Sequence, residues 1–257
     1  MLEVAANPVF RGILTDAERH ANMQESLHKF PFIEPCPAPH GGIVSVVGYG
    51  PSLRRSWKAI PRPIISVSGA HRFLVEHGII PDWHVEIDPR PHKVEMIQPQ
   101  KTTKYLMASV CHPHFWDILE GHDVELWHLI NDDATVEWVE HHDPLHKNAM
   151  IGGDSTATQR ALNVAAYVLG YKRFNVYGMD CSFQNDDHHA GWHSGTPESV
   201  IRVQIGQTIY KTSPQLLQAA REMQAFLQTT DAEVQFHGRG LMQDLAKELR
   251  RIREHHR

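Results

Sequence analysis

The sequence predicts an α/β fold built on a largely parallel sheet flanked by helices, and three observations predict it. Short β-branched runs alternate with amphipathic stretches from about Gly41 onward, the pattern of strands joined by helical crossovers. The first run, Ile43–Val47, breaks into Gly48-Tyr49-Gly50-Pro51-Ser52, where glycine allows a tight turn and proline suits a first helical turn. The most regular amphipathic stretch, residues 155–169, is introduced by Gly152-Gly153-Asp154 and closed by Gly170, a residue suited to a left-handed helix cap. Together these describe a Rossmann-like domain.

Taken in order, residues 12–30 form a helix with Thr15 and Glu18 as its capping box. Its polar character marks a short N-terminal helical appendage. Pro31, Pro35, Pro37 and Pro39 exclude regular structure up to His40, so this stretch reads as a linker laid over the surface. The chain divides into residues 1–40 and a nucleotide-binding catalytic domain over residues 41–257. Strands are expected at 43–47, 64–67, 83–87, 104–109, 124–129 and 173–177, from their β-branched and aromatic content. A helix over 70–77 stops at Gly78 and Pro81. The helix over 155–169 gathers Ala157, Ala161, Leu162, Val164, Ala165, Val168 and Leu169 on one face. Two more follow, 214–228 with Ser213 as cap and Pro214 at its first position, and 241–255 with Leu241, Leu245, Leu249 and Ile252 in register.

With 257 residues the chain is long enough to bury about 70 to 75% of its unfolded surface. A formal charge of −5 argues against nucleic acid as partner, which requires a basic surface. There is no apolar run of membrane-spanning length, and Met1-Leu2-Glu3-Val4 lacks the basic-then-apolar order of a secretory signal; a cytoplasmic protein with no membrane partner is expected. Cys36, Cys111 and Cys181 are scattered and odd in number, which suits reduced thiols. Twenty histidines are present, several in clusters; His141, His142 and His146 read as solvated loop residues.

In an open parallel sheet, ligands bind beyond the carboxyl ends of the strands. The residues there are Gly48 to Ser52, Ser68-Gly69, Asp88-Pro89-Arg90, Ser109 to His112, Asn131 to Asp133, and Gly178 to Asp180. The first loop would let bare amides approach a phosphate. It lacks the third glycine of the dinucleotide fingerprint, so NAD is not indicated. Gly152-Gly153-Asp154-Ser155 opens a helix and forms a second anion cradle; Asp154 either caps that helix or holds a ribose hydroxyl or a metal-bound phosphate. The segment Asp186 to Gly195 carries His188, His189 and His193, suited to general acid–base work. The spacing of His189 and His193 would also allow metal binding, but Gly191 and Gly195 argue against the helix this needs, and no metal ligand is assigned. Cys181 beside Asp180 reads as a buried thiol rather than a nucleophile.

These motifs resemble a known family. Val47 to Leu53, Gly78-Ile79-Ile80-Pro81-Asp82 through Glu86-Ile87-Asp88-Pro89, Gly152 through Lys172 to Asp180, His188-His189-Ala190, and Gly206 to Thr212 are similar to the MptE-like family. That family joins motility-accessory (Maf) flagellin glycosyltransferases to 6-hydroxymethylpterin diphosphokinases. The likeness covers about residues 43 to 245. The same pattern resembles bacterial sialyltransferases, with their GPSL loop and Leu-Gly-Tyr-Lys helix end.

The resemblance implies a nucleotide-dependent transferase, first a glycosyltransferase moving a sugar from a nucleotide-activated donor to a hydroxyl-bearing acceptor. Gly48, Tyr49, Gly50, Pro51 and Ser52 would line the donor phosphate, and Gly153 to Ser155 the nucleotide ribose. His193 would be the general base, with His188 as the second candidate and Asp180 beside them. Ser68 and Asp88 stand where sialyltransferases carry donor-contacting asparagines. The donor is CMP-sugar-like or ATP, and no cofactor is required by a glycosyltransferase. The alternative is a diphosphokinase using Mg²⁺-ATP, with Mg²⁺ held by Asp88, Asp154 or Asp180. Pterin kinases carry paired aspartates after the third strand, whereas this chain has Asp88 alone, followed by Pro89 and Arg90; Arg90 is suited to pair with an anionic donor or substrate. A further alternative is a non-catalytic nucleotide-binding accessory protein. An oligomer is compatible with the sequence.

Overall fold

The computed structural model describes residues 14–153, 155–191 and 199–255. Eight strands form one parallel sheet in the order β10-β7-β1-β2-β3-β4-β5-β6: β1 His40–Val47, β2 Ile64–Val67, β3 Trp83–Glu86, β4 Lys104–Ala108, β5 Asp123–Leu129, β6 Met150–Ile151, β7 Tyr171–Tyr177 and, after a hairpin of β8 Ile201–Ile205 and β9 Thr208–Thr212, β10 Glu233–His237. The helices are α1 Asp16–Ser26, α2 Leu53–Ser56, α3 Ala70–Glu76, α4 His114–Ile118, α5 Asp133–His142, α6 Ala157–Leu169, α7 Pro214–Thr229 and α8 Leu241–His255. All six expected strands form, to within three residues at their ends. Helix α2 follows the turn at Pro51 as expected, while strands β6, β8, β9 and β10 and helices α4 and α5 are additional; most are short or lie at sheet edges, where burial imposes little pattern.

The sheet reads as apolar because both faces are covered. Successive residues enter different clusters: Val46, Ile65 and Val176 join the main core, while Val47, Ile64 and Tyr177 join a smaller one with Leu53, Phe73 and Leu74. Such alternation follows from the two-residue period of a strand. Helix α6 packs across β1, β2, β3, β6 and β7. Its ends follow the expected chemistry: Thr156 caps the first turn by accepting from the Gln159 amide, and Gly170 closes it at φ 74°. The capping box of Thr15 and Glu18 is formed on α1, and Ser213 caps α7 with Pro214 in its first turn.

Residues 14–40 are tied to the sheet more firmly than a surface linker would be. Pro31 O accepts from the Leu126 amide, and the Ile33 amide donates to Leu126 O. This parallel bridge occupies the edge of β5 that the two-residue β6 leaves open, the kind of exposed edge a fold must cover. Met23 and Ile33 are buried in the main core. Around His141–His146 the first two histidines are exposed, as expected, but the segment is more than a loop. His141 and His142 end α5, and Asp143 is buried, with its carboxylate hydrogen-bonded to His128 Nε2 at 3.0 Å and to His146 Nδ1 at 2.7 Å. Phe32 stacks on His146 at 4.1 Å between ring centroids, so long-range packing fills what the local sequence leaves open.

The strand order fixes where a ligand can enter. From β1 the chain steps outward through β2 to β6, then returns through α6 to place β7 on the opposite side of β1. The boundary between β1 and β7 is therefore the switch point of the sheet, beside which open α/β sheets bind ligands.

Candidate functional site

At the switch point the two glycine loops are in direct backbone contact. The Gly48 amide donates to Tyr177 O at 2.8 Å, and the Gly50 amide donates to Gly178 O at 2.7 Å. A Cβ on Gly48 would lie 2.8 Å from Gly178 O, and one on Gly50 would lie 2.6 Å from the same oxygen. Gly178 itself takes φ +60°, and a Cβ there would sit 2.2 Å from Gly48 O. These glycines are required because two chain segments cross without side chains between them.

Asp180 completes the corner. Its Oδ2 accepts from the Ser52 amide at 2.7 Å, and its Oδ1 from the Ser52 hydroxyl at 2.5 Å and from Gln243 Nε2 at 3.2 Å. Burial pushes this carboxyl up to about 6, while the hydrogen bonds from Ser52 and Gln243 pull it down. The amides of Gly48, Gly50 and Ser52 thus have protein acceptors, and Pro51 has no amide hydrogen. This corrects the expectation of bare amides around a phosphate: the carboxylate at the start of α2 belongs to Asp180, 128 residues away.

Beside this corner lies a cavity of about 210 Å³ lined by Tyr49, Gly50, Ser68, Lys93, Thr156, Thr158, Asp180, His188 and His189, among others. The Tyr49 ring stacks on His189 at 5.3 Å, and His189 lies 4.2 Å from His188. Arg54 fastens this histidine segment to α2. Its Nε donates to Ala190 O at 2.7 Å and its Nη2 to His189 O at 3.0 Å, with Asp187 Oδ2 at 2.8 Å. The Ala190 amide closes the joint on Tyr49 O. Cys181 also lines the cavity; it is buried, and burial pushes its thiol well up.

The end of β3 supplies a second polar group. Glu86 is fully buried; its Oε1 accepts from the amides of Ile87 at 2.8 Å and Asp88 at 3.1 Å, and its Oε2 has no hydrogen-bond partner. Burial, with the charge of Asp88, pushes this carboxyl up to about 7. His84 lies behind it, Nε2 at 4.0 Å from Glu86 Oε2, and burial keeps this imidazole neutral. Asp88 holds Arg90 with both oxygens, at 2.8 Å to Nε and 2.5 Å to Nη2. That ion pair gives Arg90 a partner within the chain.

Of the residues expected from the sequence, Tyr49, Gly50, Ser68, Asp180 and His188 meet in the cavity. Gly48, Pro51, Ser52, Asp88, Gly152, Gly153 and Ser155 do not line it. Ser155 donates its amide to Glu222 Oε2 at 2.9 Å, and the space beside Gly153 holds Asn163 and Arg160, so the turn before α6 is closed by α7 and by α6 itself. Asp154 and His193 lie outside the described residues. Lys93, Thr156, Thr158 and His189 carry no expected donor contact, yet line the cavity. A lysine in a short 3-10 turn, Pro91–Met96, has no local signal of function, although its place just beyond a strand's carboxyl end is one.

Among the described residues, no group of three or more His, Cys, Asp or Glu side chains is arranged to hold a metal ion. Asp88 and Asp180, two of the expected Mg²⁺ ligands, are held by Arg90 and by Ser52 with Gln243; their donor sets do not fit that role. A larger depression of about 530 Å³ lies at the amino-terminal halves of β7 and β10, against α8, away from the switch point. Among the described residues, no helix is long and apolar enough to cross a membrane.

The family model described as 6-hydroxymethylpterin diphosphokinase MptE-like matches residues 21–186. No curated protein matches the sequence. Among solved structures, the fold is similar to that of the MAf glycosyltransferase from Magnetospirillum magneticum AMB-1, with a TM-score of 0.64 at 16% identity. The similarity covers 95% of this chain and 42% of that one, so the present chain spans less than half of its structural relative.

Proposed function

Because this chain belongs to the 6-hydroxymethylpterin diphosphokinase MptE-like family, we propose that it is a nucleotide-dependent glycosyltransferase, passing a sugar from a nucleotide-activated donor to a hydroxyl acceptor. The observation that carries this reading is the cavity at the β1/β7 switch point, where His188 stands beside the stacked Tyr49 and His189 rings. The stacked pair offers a planar face to a nucleobase. The imidazole of His188 or of His193 takes the acceptor hydroxyl proton as the acceptor oxygen bonds to the anomeric carbon; the bond from that carbon to the phosphate oxygen breaks, and the nucleotide leaves as an anion. His188 lines the cavity, while His193 is the base that the sialyltransferase resemblance implies. Turnover of His188→Ala and His193→Ala separates them, the base losing about 10²- to 10⁴-fold in kcat. Equal, small losses in both would remove the histidine from the mechanism.

The family description favours a second reading, a diphosphokinase acting on Mg²⁺-ATP. Thermal melting against CMP, CDP, UDP, GDP and ATP, each with and without Mg²⁺, discriminates, because a ligand that binds the native state raises Tm. A shift with a pyrimidine nucleotide in the absence of Mg²⁺ supports the transferase. A shift confined to ATP with Mg²⁺ supports the kinase, and turnover that survives chelation removes it. Nucleotide binding with no turnover of any donor would leave an accessory role.

A further inference from the structure

We propose that Lys93 is the residue that pairs with an oxyanion of the donor in this cavity. Lys93 is 9% exposed and lines the cavity, the one Lys or Arg among its described lining residues. Its ammonium is ion-paired with Asp88 Oδ2 at 3.7 Å, beyond hydrogen-bond distance, and no hydrogen bond from it forms among the described residues. Asp88 cannot close that gap freely, because Arg90 holds both of its oxygens and the Arg90 amide donates to Oδ1 at 3.1 Å. An ammonium at the end of a mostly buried side chain, with donors not used in hydrogen bonds, is suited to an anionic ligand. Of the other carboxyls near it, Asp180 accepts from Ser52 and Gln243, and Glu86, which feels the charge of Lys93, accepts from the amides of Ile87 and Asp88. Arg90 neutralises Asp88, and Lys93 is left to carry positive charge into the cavity.

The assignment deepens the transferase reading and rests on it for the identity of the ligand: the oxyanion is either the phosphate of the nucleotide or a carboxylate on the transferred sugar. Calorimetric titration of the full chain and of Lys93→Met with cytidine, CMP, inorganic pyrophosphate and N-acetylneuraminate tests it. Lys93→Gln and Lys93→Arg are carried in parallel, so that a variant that fails to fold leaves the others to read. In Lys93→Met, CMP affinity should fall about 10- to 100-fold, the loss expected for one charge-assisted hydrogen bond, with cytidine affinity unchanged and Lys93→Arg near wild type. A loss confined to N-acetylneuraminate assigns the carboxylate instead. Pyrophosphate binding that depends on Lys93, with no binding of cytidine or CMP, would retain Lys93 as an anion site while defeating the nucleotide reading. Equal affinities in wild type and both neutral variants, or a wild type that binds none of the anions, would overturn the proposal.

Discussion

Glu86 is a fully buried carboxyl at the end of β3, and its titration should be visible in stability. Its pKa in the folded chain, about 7, stands above the ordinary 4.5 because of burial first and Asp88 second. Between those values the folded protein holds a proton that the unfolded chain has released. The stabilisation is therefore complete below pH 4.5, falls as pH rises through 7, and is absent above. Glu86→Gln keeps an oxygen for the amides of Ile87 and Asp88 but cannot ionise. Relative to wild type it should gain on the order of 2–3 kcal/mol between pH 4.5 and pH 8, as read from urea midpoints; a difference that does not change with pH would refute this. Gly50 offers a second test at this scale. The sequence alone suggests that a side chain there fills phosphate space, whereas the structure places Gly178 O 2.6 Å from the added Cβ. Gly50→Ala should cost roughly 1–3 kcal/mol of stability in the absence of any ligand, measured by denaturant unfolding.

Among the elements, the segment before β1 has the role its composition conceals. Pro31 and Ile33 complete the edge of β5, and Ile33 is 4% exposed. Ile33→Ala should cost about 2–4 kcal/mol, while Pro35→Ala, at an exposed position, should stay within about 0.5 kcal/mol. Equal small losses would mean that the segment is only laid on the surface. The same logic applies at the start of α6. Gly152 and Gly153 read as an anion cradle because helix amides are free in a bare sequence. Here Glu222 of α7, 67 residues away, accepts the Ser155 amide, and the hydroxyl-bearing Thr156 and Thr158 are the residues that reach the cavity.

For the molecule as a whole, strand order places the cavity of the proposed site beyond the carboxyl ends of the strands. Hydrogen exchange with CMP bound should protect residues 49–50, 93–96 and 178–190, and leave residues 230–235 around the larger depression unchanged; protection confined to 230–235 would move the site. The strands, the capped helices and the crest positions were legible because burial on two faces, helix caps and glycine turns are local chemistry, written in adjacent residues such as Ile64–Val67 or Gly170. The Asp180–Ser52 and Asp88–Arg90 pairs differ in this respect. Arg90 and Asp88 are neighbours whose mutual bonding a sequence leaves open, and Asp180 meets Ser52 only because β7 returns beside β1.

The sequence by itself determined the parallel α/β fold, which rests on periodicity and turn chemistry within short stretches, and its motifs carried the family resemblance. Tertiary structure decided which polar groups at the carboxyl ends of the strands remain available to a ligand. Every hydrogen-bonding group must find a partner, and whether that partner is a ligand or another part of the chain depends on what the fold brings within about 3 Å; on that count Gly48, Ser52 and Asp88 are satisfied from within, whereas Lys93 has only an ion pair at 3.7 Å.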